Sequence, residues 1–356
     1  MLPSAGPRLE PTAFIAACAA FPLIDARTPS EYARGHIPGA VNLPLFTDAE
    51  HAVVGIAYKE RGRSEAVVRG LEAVGPRLPE TARALLSLGP RLFFYCARGG
   101  MRSSSLAGLA ETLGQEVRIL HGGYKAFRHF ALELFERPPA LQVLGGKTGS
   151  GKTEVLAVLR EHGEQVVDLE ALALHRGSAF GGFPDKPQPT QSQFENNLAV
   201  ALAACDFSRP IWVEDESENI GRVNLPRSFF LHLRREPLFV LHTPESGRLR
   251  RVLADYSSLP AGDIGDSLDR IKKRLGGAEH AKARQALEQG DLAVVAELLL
   301  AYYDRAYAKQ LRDRPLMATI EAESPATAVG LLVKASARDR EKQDRDMAPS
   351  LDVSSM

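Results

Sequence analysis

LQVLGGKTGSGKTEVLAVLRE, residues 141–161, sets a strand, a glycine turn and a helix in succession. The run LQVLGG (141–146) is short and apolar, as expected for a strand buried in the middle of a parallel sheet. Gly146, four further residues and then Gly151-Lys152-Thr153 have the Walker A spacing, and residues 154–161 supply the helix that this motif requires. In that context the amides of Gly146, Lys147, Thr148, Gly149, Ser150 and Gly151 would cradle a di- or triphosphate. Lys152 would reach its terminal groups, and Thr153 could ligate Mg²⁺.

Downstream, QVVDLE (165–170), PIWVED (210–215) and PLFVLHT (237–243) read as further buried strands. WVEDES (212–217) puts Glu214, Asp215 and Glu216 at a strand end, where one of them could hold the metal's outer shell. Three acids there could equally form a solvated turn. From spacing alone, HRGSAFGG (175–182) and QPTQSQFEN (188–196) are an ordinary loop and a helix cap, the helix running through Ala204. From about residue 245 the chain reads as helical, with 291–309 the clearest amphipathic stretch. The segment from about Ala337 is polar and charge-dense, and disorder is expected for 337–356.

Upstream, PLID (22–25) and RLFFYC (91–96) are apolar runs separated and followed by helical stretches at 79–88, 103–113 and 123–135. This alternation indicates a second α/β unit with parallel pairing. Arg137-Pro138-Pro139-Ala140 cannot continue a helix and reads as a linker. The expected division is residues 1–136, a linker at 137–140, and 141–336 with a helical C-terminal part.

FFYCARGGMRSSSLAGLA (93–110) is strand, tight loop and helix, with Cys96 where the strand ends. Arg98, Gly99, Gly100, Met101 and Arg102 form the loop, and Ser103 opens the helix. Adjacent glycines let successive amides turn inward, and the helix N-terminus adds partial positive charge. That setting suits a thiol that works on, or carries, an anionic group. A buried structural cysteine beside a glycine turn is the plainer alternative.

LIDARTPSEYARGHIPGAVNLP (23–44) resembles the opening signature of rhodanese domains, through Asp25, Arg27, Glu31-Tyr32, Gly35-His36-Ile37-Pro38-Gly39-Ala40 and Asn42. The resemblance implies that Asp25 and Arg27 are structural and brace the cysteine loop. Five residues separate Cys96 from Arg102, where common single-domain sulfurtransferases of that family have four. Five is the spacing of cysteine-dependent phosphatases, although Tyr95 stands where those enzymes usually have histidine. The wider loop fits a chalcogen-bearing phosphate anion.

The order of the two units, together with YCARGGMRS, GGYKAFR (122–128), LGGKTGSGKT, HRGSAFG, QPTQSQFEN and EDES, resembles the tRNA 2-selenouridine synthase family from about residue 20 to about residue 310. That resemblance implies a rhodanese-like domain followed by a P-loop NTPase-like α/β domain. It implies an enzyme acting on the wobble 2-thiouridine of tRNA, first with geranyl diphosphate and then with selenophosphate as co-substrates. Cys96 would be the essential cysteine, the P-loop would hold a diphosphate, and an enzyme supplying selenophosphate would be a partner. An apolar groove for the geranyl chain is expected near the P-loop, with Met101, Phe180 and Phe183 as candidates beside their plainer role in packing. The competing reading is a P-loop ATPase or kinase with a regulatory or sulfur-delivering rhodanese domain.

The 356 residues carry no net charge, so the chain is not a polycation that coats nucleic acid. Local clusters remain for tRNA: Arg222 and Arg227, Arg234-Arg235, Arg248 with Arg250 and Arg251, and Lys272-Lys273-Arg274. A solvated face is the commoner meaning of each. No apolar run is long enough to span a membrane, and no cysteine–histidine spacing suggests a zinc site. Three scattered cysteines, Cys18, Cys96 and Cys205, fit the reducing cytoplasm, with Cys18 and Cys205 expected in apolar helices.

Overall fold

A computed structural model describes residues 6–175, 187–257, 259–312, 314–322 and 324–347. The chain forms two compact units. One comprises Met1–Arg137 with Pro189–Cys205, the other Pro138–Gln188 with Asp206–Met356. The second unit is therefore not the continuous span 141–336 expected from the sequence. The helix Gln191–Ala203 groups with the first unit, because its apolar residues Val200 and Ala203 pack in that unit's core.

In the first unit, β1 (Arg8–Leu9), β2 (Leu23–Asp25), β3 (Ala40–Asn42), β4 (Arg91–Tyr95) and β5 (Glu116–Leu120) form a parallel sheet in the order β1-β5-β4-β2-β3. Strand β4 is central, and its side chains alternate between two cores as the two-residue strand period requires. Leu92 and Phe94 pack with Ile24, Leu106 and Ile119 on one face. Phe93 and Tyr95 pack with Phe14, Leu23 and Phe127 on the other. The helix Met101–Thr112 follows β4 directly, so the Cys96 loop closes a strand-to-helix turn at the C-terminal end of the sheet.

In the second unit, β6 (Leu141–Gly146), β7 (Gln165–Val167), β8 (Ile211–Glu214), β11 (Leu238–His242) and β12 (Leu316–Glu321) run parallel in the order β12-β11-β6-β8-β7. Between β8 and β11 lies a short antiparallel pair, β9 (Asn219–Ile220) and β10 (Val223–Asn224). The P-loop strand β6 pairs directly with β8, so the acidic strand end lies beside the phosphate loop at the sheet's C-terminal edge, where open α/β sheets bind ligands. Trp212 is buried on β8 against Phe239, as core. Helices Glu245–Ser257, Ala261–Leu275, Gly277–Glu288 and Leu292–Gln310 build a further core around Val252, Leu268, Ala283 and Leu299.

Three local expectations change. Strand β7 stops at Val167, and Asp168 caps the helix Leu169–Ala173 by accepting a hydrogen bond from the Ala171 amide at 2.8 Å. Strand β12 is not expected from the sequence, because on this edge strand only Ile320 is buried and no apolar run marks it. The expected disorder from residue 337 gives way, as far as Met347, to the helix Pro325–Met347. Its Arg, Glu, Lys and Gln residues are good helix formers as well as polar ones, and no proline or glycine interrupts 331–347.

Candidate functional site

In the first unit the Cys96 sulfur is buried at the N-terminus of the helix Met101–Thr112. The Gly100 amide donates to Sγ at 3.3 Å and the Ser103 hydroxyl donates at 3.2 Å. Two donors from one helix start, together with the helix dipole, suit a sulfur that bears negative charge or is bonded to an anion. Arg98, Gly100 and Met101 are exposed, while Gly99 is buried. Met101 opens the helix Met101–Thr112 and is absent from the lining of the cavity beside the P-loop. Phe180 and Phe183 lie outside the described residues.

The loop is held from behind. The Tyr124 amide donates to the Cys96 carbonyl at 2.8 Å, and the Lys125 amide to that of Ala97 at 3.0 Å. Gly123, at φ +63°, passes so close that an added Cβ would lie 2.3 Å from the Cys96 oxygen and 2.3 Å from the Gly99 nitrogen. Met101 and Arg102, expected in the loop, instead form the first turn of the helix Met101–Thr112, and Arg102 pairs with Glu31 at 2.5 and 3.3 Å. Burial alone would raise the Glu31 pKa, but hydrogen bonds from Arg102 and the Thr28 amide hold it below the usual carboxylate range. Glu31 also completes the capping box of the helix Pro29–Arg34, so one carboxylate joins the rhodanese signature to the loop arginine.

Asp25 and Arg27 form a buried ion pair at 2.6 Å, and the Arg27 guanidinium lies 3.8 Å from the centroid of the Tyr124 ring. Tyr95 turns away from the sulfur to accept from the Ile37 amide at 3.1 Å. Burial raises the thiol pKa of both Cys18 and Cys205, that of Cys18 to about 11. Neither sits in a comparable ring of donors; each bonds to a carbonyl of its own segment.

In the second unit the P-loop borders a cavity of about 650 Å³, whose lining includes Gly149, Lys152, Asp168, Asp215, Glu216 and Arg251. Gly149, at φ +76°, passes so near Arg248 that a Cβ would lie 2.8 Å from its carbonyl oxygen. Lys152 donates to the Gly146 carbonyl at 3.0 Å across the mouth of the loop. Val252, Tyr256, Leu259, Tyr303 and Ala306 add a largely apolar wall.

The three acids take different places. Glu214 is turned inward and accepts from the Glu170 amide at 2.6 Å, and it is absent from the cavity lining. Asp215 lies 3.1 Å from Arg314 and 3.6 Å from Arg234, yet burial outweighs their pull and raises its pKa. Glu216 lines the cavity, and the arginine pairs at this strand end go to Asp215. Its pKa is raised well above the carboxylate range by burial first and by the neighbouring Glu170, against the pull of Lys152. Glu216 and Asp168 are carboxylates at the cavity that could hold a Mg²⁺ outer shell, with the Thr153 hydroxyl at the loop's end.

Arg248 and Arg251 do not join a free basic surface. Arg248 is 3% exposed and bonds Asp304 at 2.6 and 2.9 Å, and Lys147 of the P-loop bonds the same carboxylate at 2.9 Å. Arg251 leans over Gly151 and reaches Glu154 at 3.4 Å. The helical repeat turns both toward the P-loop and leaves Arg250 exposed. Lys272, Lys273 and Arg274 are exposed in the last turn of the helix Ala261–Leu275. Among the described residues, no helix is long and apolar enough to cross a membrane.

Spacing did not reveal Glu31 as the partner of Arg102, Tyr124 behind Cys96, Asp304 beneath Lys147, or Arg234 and Arg314 beside Asp215. Each depends on a contact between residues far apart in the chain.

Comparison with known proteins matches residues 139–334 to the family described as the tRNA 2-selenouridine synthase AAA domain, and residues 12–129 to the Rhodanese-like domain. A tRNA 2-selenouridine synthase from Shewanella denitrificans is 36% identical over 332 residues, which cover 82% of this chain and 89% of that protein. The Bordetella bronchiseptica protein of the same name is 40% identical, covering 81% and 88%. One from Marinobacter nauticus is 36% identical, covering 82% and 89%.

Proposed function

Since this chain belongs to the tRNA 2-selenouridine synthase family, we propose that it is the enzyme that replaces the sulfur of 2-thiouridine in tRNA with selenium, at the wobble position and in two steps. In the first step the uridine sulfur attacks C1 of geranyl diphosphate. A carbon–sulfur bond forms, the carbon–oxygen bond breaks, and diphosphate leaves with the bonding pair. In the second, the selenium of selenophosphate attacks C2 of the uracil ring, the C2–sulfur bond breaks and geranylthiol leaves; water then cleaves the selenium–phosphorus bond and phosphate departs.

The observation that carries the first step is the two-sided cavity of the second unit. Gly149, Lys152 and the neighbouring amides offer donors to a diphosphate, while Val252, Tyr256 and Leu259 offer apolar surface to a hydrocarbon. Charge that develops on the leaving diphosphate would be neutralised by Lys152 and the loop amides, which are in place before reaction. Mg²⁺ would add to that neutralisation from the side of Glu216 and Asp168. For the second step, the Gly100 amide and Ser103 hydroxyl around Cys96 suit a phosphate-like selenium donor. The exposed Arg98 would draw such an anion in.

The acid-lined side of the cavity favours a second reading, in which the P-loop binds a Mg²⁺-nucleotide and the cysteine domain regulates it. The two are separated by incubating the protein with 2-thiouridine tRNA and geranyl diphosphate, with and without selenophosphate, and weighing the nucleosides by mass spectrometry. Geranylated uridine without selenophosphate and selenated uridine with it are expected. ATP turnover without tRNA, and neither modified nucleoside, would support the regulatory reading instead.

A further inference from the structure

Two sequence motifs that the chemistry above leaves unused, GGYKAFR (122–128) and QPTQSQFEN (188–196), meet inside the first unit. Their meeting point is Asn196, which is fully buried on the helix Gln191–Ala203. Its Nδ2 donates to the Tyr124 hydroxyl at 2.9 Å and to the His36 carbonyl at 2.9 Å. Its Oδ1 accepts from Arg128 at 2.7 Å. An amide buried this deeply is costly unless fully bonded, and here its three bonds reach two separate segments of the rhodanese-like fold.

We propose that the helix Gln191–Ala203 is part of the cysteine site, and that Asn196 is a positioning residue which fixes Tyr124 and, through the Tyr124 amide, the carbonyl of Cys96. The path is short. Asn196 holds the Tyr124 hydroxyl, and the same tyrosine donates its amide to the Cys96 carbonyl at 2.8 Å. The Tyr124 ring also carries the Arg27 guanidinium, which bonds the Gly35 carbonyl at 2.7 Å.

The signature loop around Gly35 is shaped to receive this helix. A Cβ at Gly35 would lie 3.0 Å from Ser192 Cβ and 3.1 Å from the Tyr124 hydroxyl. The His36 amide donates to Gln193 at 2.9 Å, and the Thr190 hydroxyl donates to the Arg34 carbonyl at 2.7 Å. Arg128 adds a bond to Glu195. Packing alone would need only the apolar residues of this helix. The polar set specifies one seat, with its centre behind the reactive loop. Since the sequence on both sides of the helix belongs to the second unit, residues 1–137 alone do not encode a finished cysteine site.

The inference rests on the function proposed above only for its catalytic readout, so the test has two arms, both on the full chain. The first is the rate of alkylation of Cys96 by iodoacetamide, followed on its own peptide by mass spectrometry. The second is kcat and KM for selenation of tRNA already geranylated. Asn196→Ala, and Tyr124→Phe, which removes one hydroxyl and leaves the ring, should each change the alkylation rate about threefold or more. Each should lower selenation kcat roughly tenfold, with KM for tRNA and the rate of geranylation unchanged.

The double variant should be no worse than Asn196→Ala alone, because the one bond that Tyr124→Phe removes is already broken there. Asn196→Asp keeps an acceptor for Arg128 and offers one to the Tyr124 hydroxyl, so it loses only the bond to the His36 carbonyl and should fall nearer the wild type than Asn196→Ala. Alkylation and kcat that stay at the wild-type values in both single variants would overturn the proposal. So would effects that multiply in the double variant. If the wild-type chain makes no selenouridine, the proposed function fails, and the alkylation arm decides the role of Asn196 by itself.

Discussion

The cysteine loop and the P-loop are built alike and finished differently. Each closes the turn from a central parallel strand to the following helix. Around Cys96 the supporting groups are paired off: Arg102 with Glu31, Arg27 with Asp25, Tyr124 with Asn196. Around Lys152 the cavity keeps buried acids whose ionised form is disfavoured, above all Glu216. The difference suggests a rigid holder for one reactive sulfur and a site whose electrostatics await a charged ligand. Buried like charges are costly to a fold, and a cation bound with the diphosphate would relieve them.

The largest expected effect falls on the P-loop. Lys152→Ala should slow geranylation by about 10²–10³-fold, the range for removing one donor to developing charge. Steady-state kinetics with geranyl diphosphate measure this, and a loss below tenfold would reduce the P-loop to a binding surface. Next is the rigidity of the other site. Gly123→Ala sets a side chain against the Cys96 carbonyl at positive φ, and should cost about 3 kcal/mol of stability in denaturant titration. Tolerance of alanine there would show that the loop yields.

Glu216 tests the contrast in the opposite direction. Its folded-state pKa lies above its ordinary value of 4.5, so the folded state binds the proton more tightly than the unfolded one. Stability contributed by that proton is present below 4.5 and is lost as pH rises through the raised value. Glu216→Gln should therefore stabilise the ligand-free protein at neutral pH by about 1 kcal/mol, flatten its stability–pH curve, and lower geranylation. Thermal unfolding across pH measures it; a destabilised Gln variant would mean that the carboxylate is already well paired. The smallest effect is at the surface. Lys272→Glu with Lys273→Glu should weaken tRNA binding and make it less sensitive to salt, the slope falling by about one for each phosphate these lysines neutralise. Filter binding across a salt series measures it, and an unchanged slope would remove this helix end from the RNA surface.

Much of this is legible in the sequence because both loops are contiguous. Cys96 to Ser103 and Gly146 to Thr153 each carry their own turn residues and helix start, so local chemistry declares them. Residues 191–203 read as a helix from their pattern, but their grouping with the first unit does not, since nothing in QPTQSQFEN names Tyr124 or His36 as partners. Arg248 shows the same limit: one arginine in a basic run is buried by Asp304, a residue far along the chain, and its neighbour Arg250 is not. The C-terminal helix escapes a compositional reading, because Glu, Lys, Arg and Gln serve disordered chains and helices equally.

The central claim, that each loop performs its own step, is tested most directly by a crossover assay scored by nucleoside mass spectrometry. Cys96→Ala and Lys152→Ala are each given 2-thiouridine tRNA with both co-substrates, and separately tRNA that is already geranylated with selenophosphate alone. Cys96→Ala should accumulate geranylated uridine and make no selenouridine from either tRNA. Lys152→Ala should leave 2-thiouridine unchanged, yet convert the geranylated tRNA to selenouridine. Loss of both steps in both variants would contradict the account.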